Sequence, residues 1–170
     1  MKKTRYITIA AMLLALDLVL SRFLVYMTPD YVKIGAQFIP PALSGIIFGP
    51  FISAGICMVS DLLGCTIQSW GQPIVPLITL TAGLRGLIFG LMLRKKQSQL
   101  MIFFAVLVVT LVVDLGLNPV IFHYSFGSLY LPTLIANLPI KLIMVPAYTF
   151  IIYNLWRVLR PEVDKILARG

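Results

Sequence analysis

The chain has 170 residues, of which 59% are hydrophobic and only 12% are charged, and its mean hydropathy is +0.97. A soluble domain carries about 25% charged residues, so this composition excludes a soluble globular protein. At about 20 residues for each helical crossing, the chain can form about six transmembrane helices and has no room for a separate catalytic domain.

Six apolar segments predict an all-α, single-domain bundle of six transmembrane helices. The N-terminal segment resembles the charged flank of a signal peptide, but its apolar run continues without a small-residue cleavage site, so we expect a retained first helix. The second and third spans could instead form one long or re-entrant hairpin. The predicted spans cover residues of about 6–26, 38–49, 51–66, 76–93, 100–121 and 132–156.

The net charge of +8 follows membrane topology and is not typical of a nucleic-acid-binding protein. With six spans, three basic clusters lie on one side of the membrane, which the positive-inside rule identifies as the cytoplasm. We therefore expect a multi-pass protein of the bacterial plasma membrane with both termini in the cytoplasm. The clusters are Lys2, Lys3 and Arg5 before the first span; Arg94, Lys95 and Lys96 after the fourth; and Arg157, Arg160, Lys165 and Arg169 after the sixth.

Motifs for catalysis, nucleotide binding and metal binding are missing from the sequence. There is no phosphate-binding loop, no HExxH and no GxSxG. Cys57 and Cys65 lie eight residues apart in one predicted helix, too far for a disulfide without breaking that helix, and no metal-ligand spacing occurs. We expect no enzyme activity, no cofactor and no metal site.

Arg85 lies near the middle of the fourth span, and a cation at that depth is kept where it pairs or binds a ligand. Counted from the outer helix ends, Arg85 and Lys141 both lie about 14 Å deep and Asp114 about 10 Å deep. The three could share one cavity that opens to the outside and binds an anionic small molecule. In the alternative interpretation, Arg85 or Lys141 pairs with Asp114 or Asp61 and only holds the bundle together.

Polar and aromatic residues at the outer helix ends are further candidates for ligand contact. Trp70 lies in a loop with Gly71 and Pro73, which could hold its ring over a flat ligand. Asn118 precedes a helix-breaking proline, where an amide can either satisfy a freed carbonyl or face a ligand. The other candidates are Lys33, Gln37 and His123, the only histidine.

Two stretches carry a resemblance to a known family. Residues 32–64 read VKIGAQFIPPALSGIIFGPFISAGICMVSDLLG, and residues 70–90 read WGQPIVPLITLTAGLRGLIFG. Both resemble the substrate-binding S components of energy-coupling factor (ECF) vitamin transporters, with the folate-type group as the best match. The resemblance covers about residues 5–157.

The resemblance implies a six-helix subunit that binds its vitamin from outside, with the outer loops after the first and third spans as lids. It assigns Arg85 to the ligand carboxylate, and Ala11 and Ala15 to the helix face that docks on a transmembrane coupling subunit. Two ATPase subunits would supply the energy. Lys33, Gln37, Trp70, Asn118, His123 and Lys141 are assigned to the ligand by position and chemistry alone.

Folate is the ligand that the residues favour, because it has a flat ring, an aromatic spacer and two carboxylates. Pantothenate, with one carboxylate and no ring, would leave the aromatic and amide residues unexplained. A stand-alone secondary carrier that moves protons on Asp61 or Asp114 is the remaining alternative.

Overall fold

The computed structural model describes residues 2–22, 25–27, 33–67, 76–94, 97–127 and 130–168. These ranges contain seven α-helices, one π-helical segment and two short strands. In chain order they are α1 (Lys2–Arg22), β1 (Val25–Met27), β2 (Lys33–Gly35), α2 (Ile39–Phe48), α3 (Pro50–Ile67), α4 (Pro76–Leu93), α5 (Gln99–Val109), the π-helical segment (Thr110–Leu117), α6 (Asn118–Phe126) and α7 (Tyr130–Ala168).

The predicted helical membrane fold is confirmed. Because α5, the π-helical segment and α6 follow one another without a break, the described residues form six helical units. Four of them contain apolar stretches long enough to cross a membrane. Two further apolar helices, Tyr6–Ser21 and Ile39–Phe48, are shorter. The four long stretches are Pro50–Ile67, Pro76–Leu93, Gln99–Ser125 and Leu138–Pro161.

The first helix ends at Arg22, so the prediction that the first span continues to residue 26 was wrong. Val25–Met27 instead forms β1, which pairs antiparallel with β2 and places Tyr26 against Ile34. Hydropathy alone does not distinguish an apolar strand from the end of an apolar helix, so the sequence analysis missed this hairpin. The hairpin is tied to the bundle where the Tyr148 hydroxyl donates to the Gly35 carbonyl at 2.8 Å.

The second and third predicted spans are two separate helices. Gly49 lies between them with a φ of +85°, a conformation that glycine adopts without steric cost. With 10 residues, α2 is about 15 Å long, or half the thickness of the hydrocarbon core of a bilayer. Thus α2 is a half-length helix that reverses direction into the full-length α3.

Helix α4 packs against α2 and α3 with almost no side-chain layer between the backbones. A Cβ atom at Gly86 would lie 2.7 Å from the Ser53 carbonyl oxygen, and one at Gly90 would overlap the backbone of Pro50. These glycines permit a helix-to-helix contact that any larger residue would force apart. The contact fixes the position of α4, which carries Arg85.

The segment between α5 and α6 is π-helical and contains Asp114. It ends just before Pro119, which lacks a backbone N–H and whose ring would clash with the carbonyl four residues back in an α-helix. A widened turn before the proline relieves that clash, and π-helical turns of this kind often occur at functional sites.

Phe38 belongs to a cluster of buried aromatic and aliphatic side chains. Phe38 is fully buried, and its ring centre is 4.7 Å from that of Tyr148 and 6.3 Å from that of Phe89. These contacts join the end of the hairpin to α4 and α7.

Candidate functional site

An open cavity lies between α1, α3, α4, the π-helical segment, α6 and α7. Four of the predicted ligand residues line it: Gln37, Arg85, Asn118 and Lys141. The predicted convergence of Arg85, Lys141 and Asp114 is therefore present in the structure. The polar residues that line the cavity include Asp17, Gln37, Ser60, Asp61, Thr81, Arg85, Asp114, Asn118 and Lys141.

Asp114 connects the two cations of the cavity. Its Oδ1 lies 3.3 Å from Arg85 Nη2, and its Oδ2 lies 3.0 Å from Lys141 Nζ. The side chains of Asp114 and Lys141 are 3% and 6% exposed, so this pair is removed from solvent. The ion pairing of the alternative interpretation thus exists, with Asp114 as a partner of both cations.

Arg85 keeps donor capacity beyond its contact with Asp114. A guanidinium carries five N–H donors, and Nε of Arg85 is buried with no hydrogen-bond partner among the described residues. Its side chain is 14% exposed, more than those of Asp114 and Lys141. The guanidinium carbon also lies 5.4 Å from the centre of the Phe38 ring, which is within the range of a cation–π contact. Arg85 can therefore pair with Asp114 and still donate to a ligand.

Asn118 extends the hydrogen-bond network around Asp114. Its Nδ2 lies 3.5 Å from Asp114 Oδ1, and its Oδ1 lies 3.0 Å from the Thr81 hydroxyl. The amide is thus held by two neighbours at the edge of the cavity. Gln37, directly before Phe38, is buried and also lines the cavity.

Of the three remaining predicted ligand residues, only His123 has a side chain that the structure describes. His123 is exposed on α6, does not line the cavity, and its ring centre is 5.5 Å from that of Tyr124. The backbone of Lys33 starts β2, but its side chain lies outside the described part of the structure. Trp70 lies outside the described residues altogether.

A second group of polar residues in the cavity was not predicted as a ligand site. Asp17 on α1 is buried, and Asp61 on α3 accepts a hydrogen bond from the Thr79 hydroxyl at 3.0 Å. Beside Asp61, Ser60 is 1% exposed and its Oγ has no hydrogen-bond partner among the described residues. The presence of ionisable residues inside apolar spans could have indicated this group. The sequence alone instead favoured a role for Asp61 in holding the bundle together.

Ala11 and Ala15 lie one helical turn apart on α1, and both are exposed. A small-residue face of this kind permits close approach of another helix. Their assignment to partner docking stays a prediction.

Comparisons with known proteins agree on one family. Residues 5–158 match the family model described as "ECF transporter, substrate-specific component". A folate transporter FolT of Clostridium novyi (strain NT) is 32% identical over 171 residues, covering 99% of this chain and 98% of that protein. A folate transporter FolT of Leuconostoc mesenteroides is also 32% identical, over 162 residues, covering 89% of this chain and 86% of that protein.

Among solved structures, a crystal structure of FolT bound with folic acid has a TM-score of 0.82 with 30% sequence identity. The match covers 89% of this chain and 92% of that chain. Sequence and fold thus point to the same group of membrane proteins.

Proposed function

This chain belongs to the substrate-specific components of ECF transporters, and we propose that it binds folate from outside as the vitamin-binding subunit of an ATP-driven importer. It is a multi-pass membrane protein and a transporter subunit, not an enzyme. Two relatives of nearly full length are named folate transporters, and a structure of similar fold is bound with folic acid. These similarities support folate as the vitamin.

The observation that supports the proposal most is that Arg85 lies in the cavity with only part of its hydrogen-bonding capacity used. Its guanidinium is held in place by Asp114 and Phe38, and its Nε has no partner among the described residues. A donor that is already held in position loses little conformational freedom on binding, and a site with such a donor discriminates strongly between ligands with and without a matching acceptor. Folate carries acceptors on both its ring and its glutamate tail.

The vitamin is tested by calorimetric titration of the purified protein in detergent, first with folate and then with pantothenate. We expect tight one-to-one binding of folate and no heat with pantothenate. Heat with pantothenate alone would preserve the transporter role and overturn the proposed ligand. Absence of heat with both would contradict the proposal as a whole.

We further propose that a transmembrane coupling subunit docks on α1 at Ala11 and Ala15 and that two ATPase subunits drive release of folate inside. The exposed small-residue face of α1 and the family membership support this arrangement. In it, the three basic clusters and both termini lie in the cytoplasm, as the positive-inside rule predicts.

A stand-alone carrier makes a different prediction in liposomes. The lone subunit would then accumulate folate when a pH gradient is applied, with no partner subunits and no ATP. We expect uptake only when the coupling subunit, both ATPase subunits and ATP are present. Gradient-driven uptake by the lone subunit would favour the carrier.

A further inference from the structure

The short connection between β2 and α2 forms part of the cavity wall. Strand β2 ends at Gly35 and α2 begins at Ile39, so only three residues join the strand to the helix. The Ile39 N–H donates to the Ala36 carbonyl at 3.1 Å, which closes the connection into a tight turn. Within this turn, Gln37 lines the cavity and Phe38 is fully buried. The positions of Gln37 and Phe38 therefore depend on what holds the turn in place.

Tyr148 on α7 contacts both ends of this turn. Its hydroxyl donates to the Gly35 carbonyl at 2.8 Å, and its ring centre lies 4.7 Å from that of Phe38, with 31° between the ring planes. A phenol supplies both an apolar ring and an O–H donor, so one side chain makes the two contacts. Tyr148 is itself buried and is not among the residues that line the described cavity. Any effect of Tyr148 on the cavity is therefore indirect.

The Phe38 ring connects Tyr148 to the two cations of the cavity. The Arg85 guanidinium carbon lies 5.4 Å from the centre of this ring, and Lys141 Nζ lies 5.8 Å from it. Both distances are within the range of a cation–π contact. Interiors are packed closely enough that a displaced ring moves the groups in contact with it. A shift of Phe38 would consequently move Arg85, the cation that the proposed function places against the ligand.

We propose that Tyr148 is a positioning residue of the ligand site. It keeps Gln37 in the cavity wall and the Phe38 ring beside Arg85. The proposal rests on the proposed function, because it takes the cavity to be the folate site. Without the contacts of Tyr148, the turn adopts other arrangements in the ligand-free protein, and only a fraction of the molecules is able to bind. The apparent affinity falls by that fraction, although Tyr148 does not touch the ligand.

Tyr148→Phe removes the hydroxyl and keeps the ring. The loss of one hydrogen bond leads us to expect about three- to tenfold weaker folate binding in calorimetric titration. Tyr153→Phe is the matched control, because it makes the same change on the same helix at a partly buried residue that does not line the described cavity. We expect the control to bind folate as tightly as the wild type. Unchanged affinity in Tyr148→Phe would overturn the proposal, whatever the change in thermal midpoint, since Tyr148 would then serve fold stability alone.

A double-mutant cycle with Arg85 tests whether Tyr148 acts through Phe38. Tyr148→Leu removes both contacts, and we expect it to weaken folate binding at least about 30-fold. In an Arg85→Ala background the same change should have an effect at least fivefold smaller, because the cation that it displaces is gone. In a Ser60→Ala background it should keep its full effect, since Ser60 lines the cavity but is not part of the contacts from Tyr148 to Arg85. Equal effects in the wild-type and Arg85→Ala backgrounds would contradict the proposal.

If Tyr148→Leu does not fold, the cycle is measured with Tyr148→Phe, which retains the ring. We then expect its effect on folate affinity to fall below twofold in the Arg85→Ala background. An effect that persists there in full would overturn the proposal. Failure of the proposed function looks different, since the wild-type protein would then not bind folate. Tight folate binding by the wild type and by every folded Tyr148 variant would refute only the positioning role.

Discussion

The ammonium of Lys141 on α7 lies 3.0 Å from the Asp114 carboxylate on the π-helical segment, and both side chains are nearly inaccessible to solvent. A single carboxylate neutralises the charge of one cation. Here the second oxygen of Asp114 also reaches Arg85, at 3.3 Å. Because Arg85 has the longer contact and the greater exposure, we propose that Arg85 is the cation that meets a ligand and that Lys141 mainly balances the charge of Asp114.

Removal of one member of this pair should cost more stability than removal of both. Lys141→Met leaves the Asp114 carboxylate with less compensation, and loss of one partner of a buried pair costs about 3–5 kcal/mol. We expect a large fall in thermal stability for Lys141→Met and a substantial recovery in the Lys141→Met/Asp114→Asn double variant. Thermal unfolding in detergent measures both. A double variant less stable than either single variant would show that the two residues do not act as a pair.

Arg85→Ala should weaken folate binding at least tenfold while the protein stays folded, because it removes the donors that face the cavity. The calorimetric affinity and the thermal midpoint without ligand are measured together. Arg94→Ala is a suitable control, since Arg94 is exposed after the end of α4. Equal affinity in Arg85→Ala and wild type would remove Arg85 from the site.

Glycines of the helix bundle should differ sharply in their tolerance of a methyl group. At Gly90, an alanine Cβ would overlap Pro50, so we expect Gly90→Ala to destabilise the protein by about 1–3 kcal/mol. At Gly55 on α3, a Cβ would have no neighbour within 4 Å. Gly55→Ala should therefore be neutral or stabilise by up to about 1 kcal/mol through helix propensity. Similar thermal midpoints for the two variants would contradict the close contact between α4 and α3.

Ala11→Trp should leave folate affinity unchanged and prevent assembly with the coupling and ATPase subunits. The indole would fill the small-residue face of α1, which lies away from the described cavity lining. Co-purification of the complex from cells that express all subunits measures assembly. Ala147→Trp, at an exposed alanine of α7, is the control and should assemble normally. Intact complexes with Ala11→Trp would show that the partner docks elsewhere.

The sequence predicted the helical segments well where a long apolar run had clear ends. The fourth span, predicted for residues 76–93, matches α4 from Pro76 to Leu93. Counting residues from the outer helix ends predicted that Arg85, Lys141 and Asp114 lie close together, because distance along a helix axis follows from residue number alone. The fold class therefore followed from hydropathy and length.

Features that depend on helix rotation and local pairing were not predictable in the same way. The pairing of Asp114 with both Arg85 and Lys141 depends on which face each helix turns inward. The π-helical segment alters that rotation just before Pro119. The β-hairpin was missed because β1, with the sequence Val-Tyr-Met, is as apolar as a helix end, and β2 has only three residues. Placement of Ser60 and Asp17 at the cavity likewise required the packed structure.

The glycine contacts of α4 constrain how this protein can move. With Gly86 against the Ser53 carbonyl and Gly90 against Pro50, the backbones of α4 and α3 touch directly at these two points, which leaves the helices little room to slide. Helices α2, α3 and α4 should consequently shift only as one rigid body. Any gating that admits or releases a ligand then has to come from α1, the β-hairpin, α6 or α7. Helix α7 contains prolines at which it can bend, and Tyr148 connects it to the hairpin by a hydrogen bond. Bending of α7 would therefore change the shape of the cavity entrance.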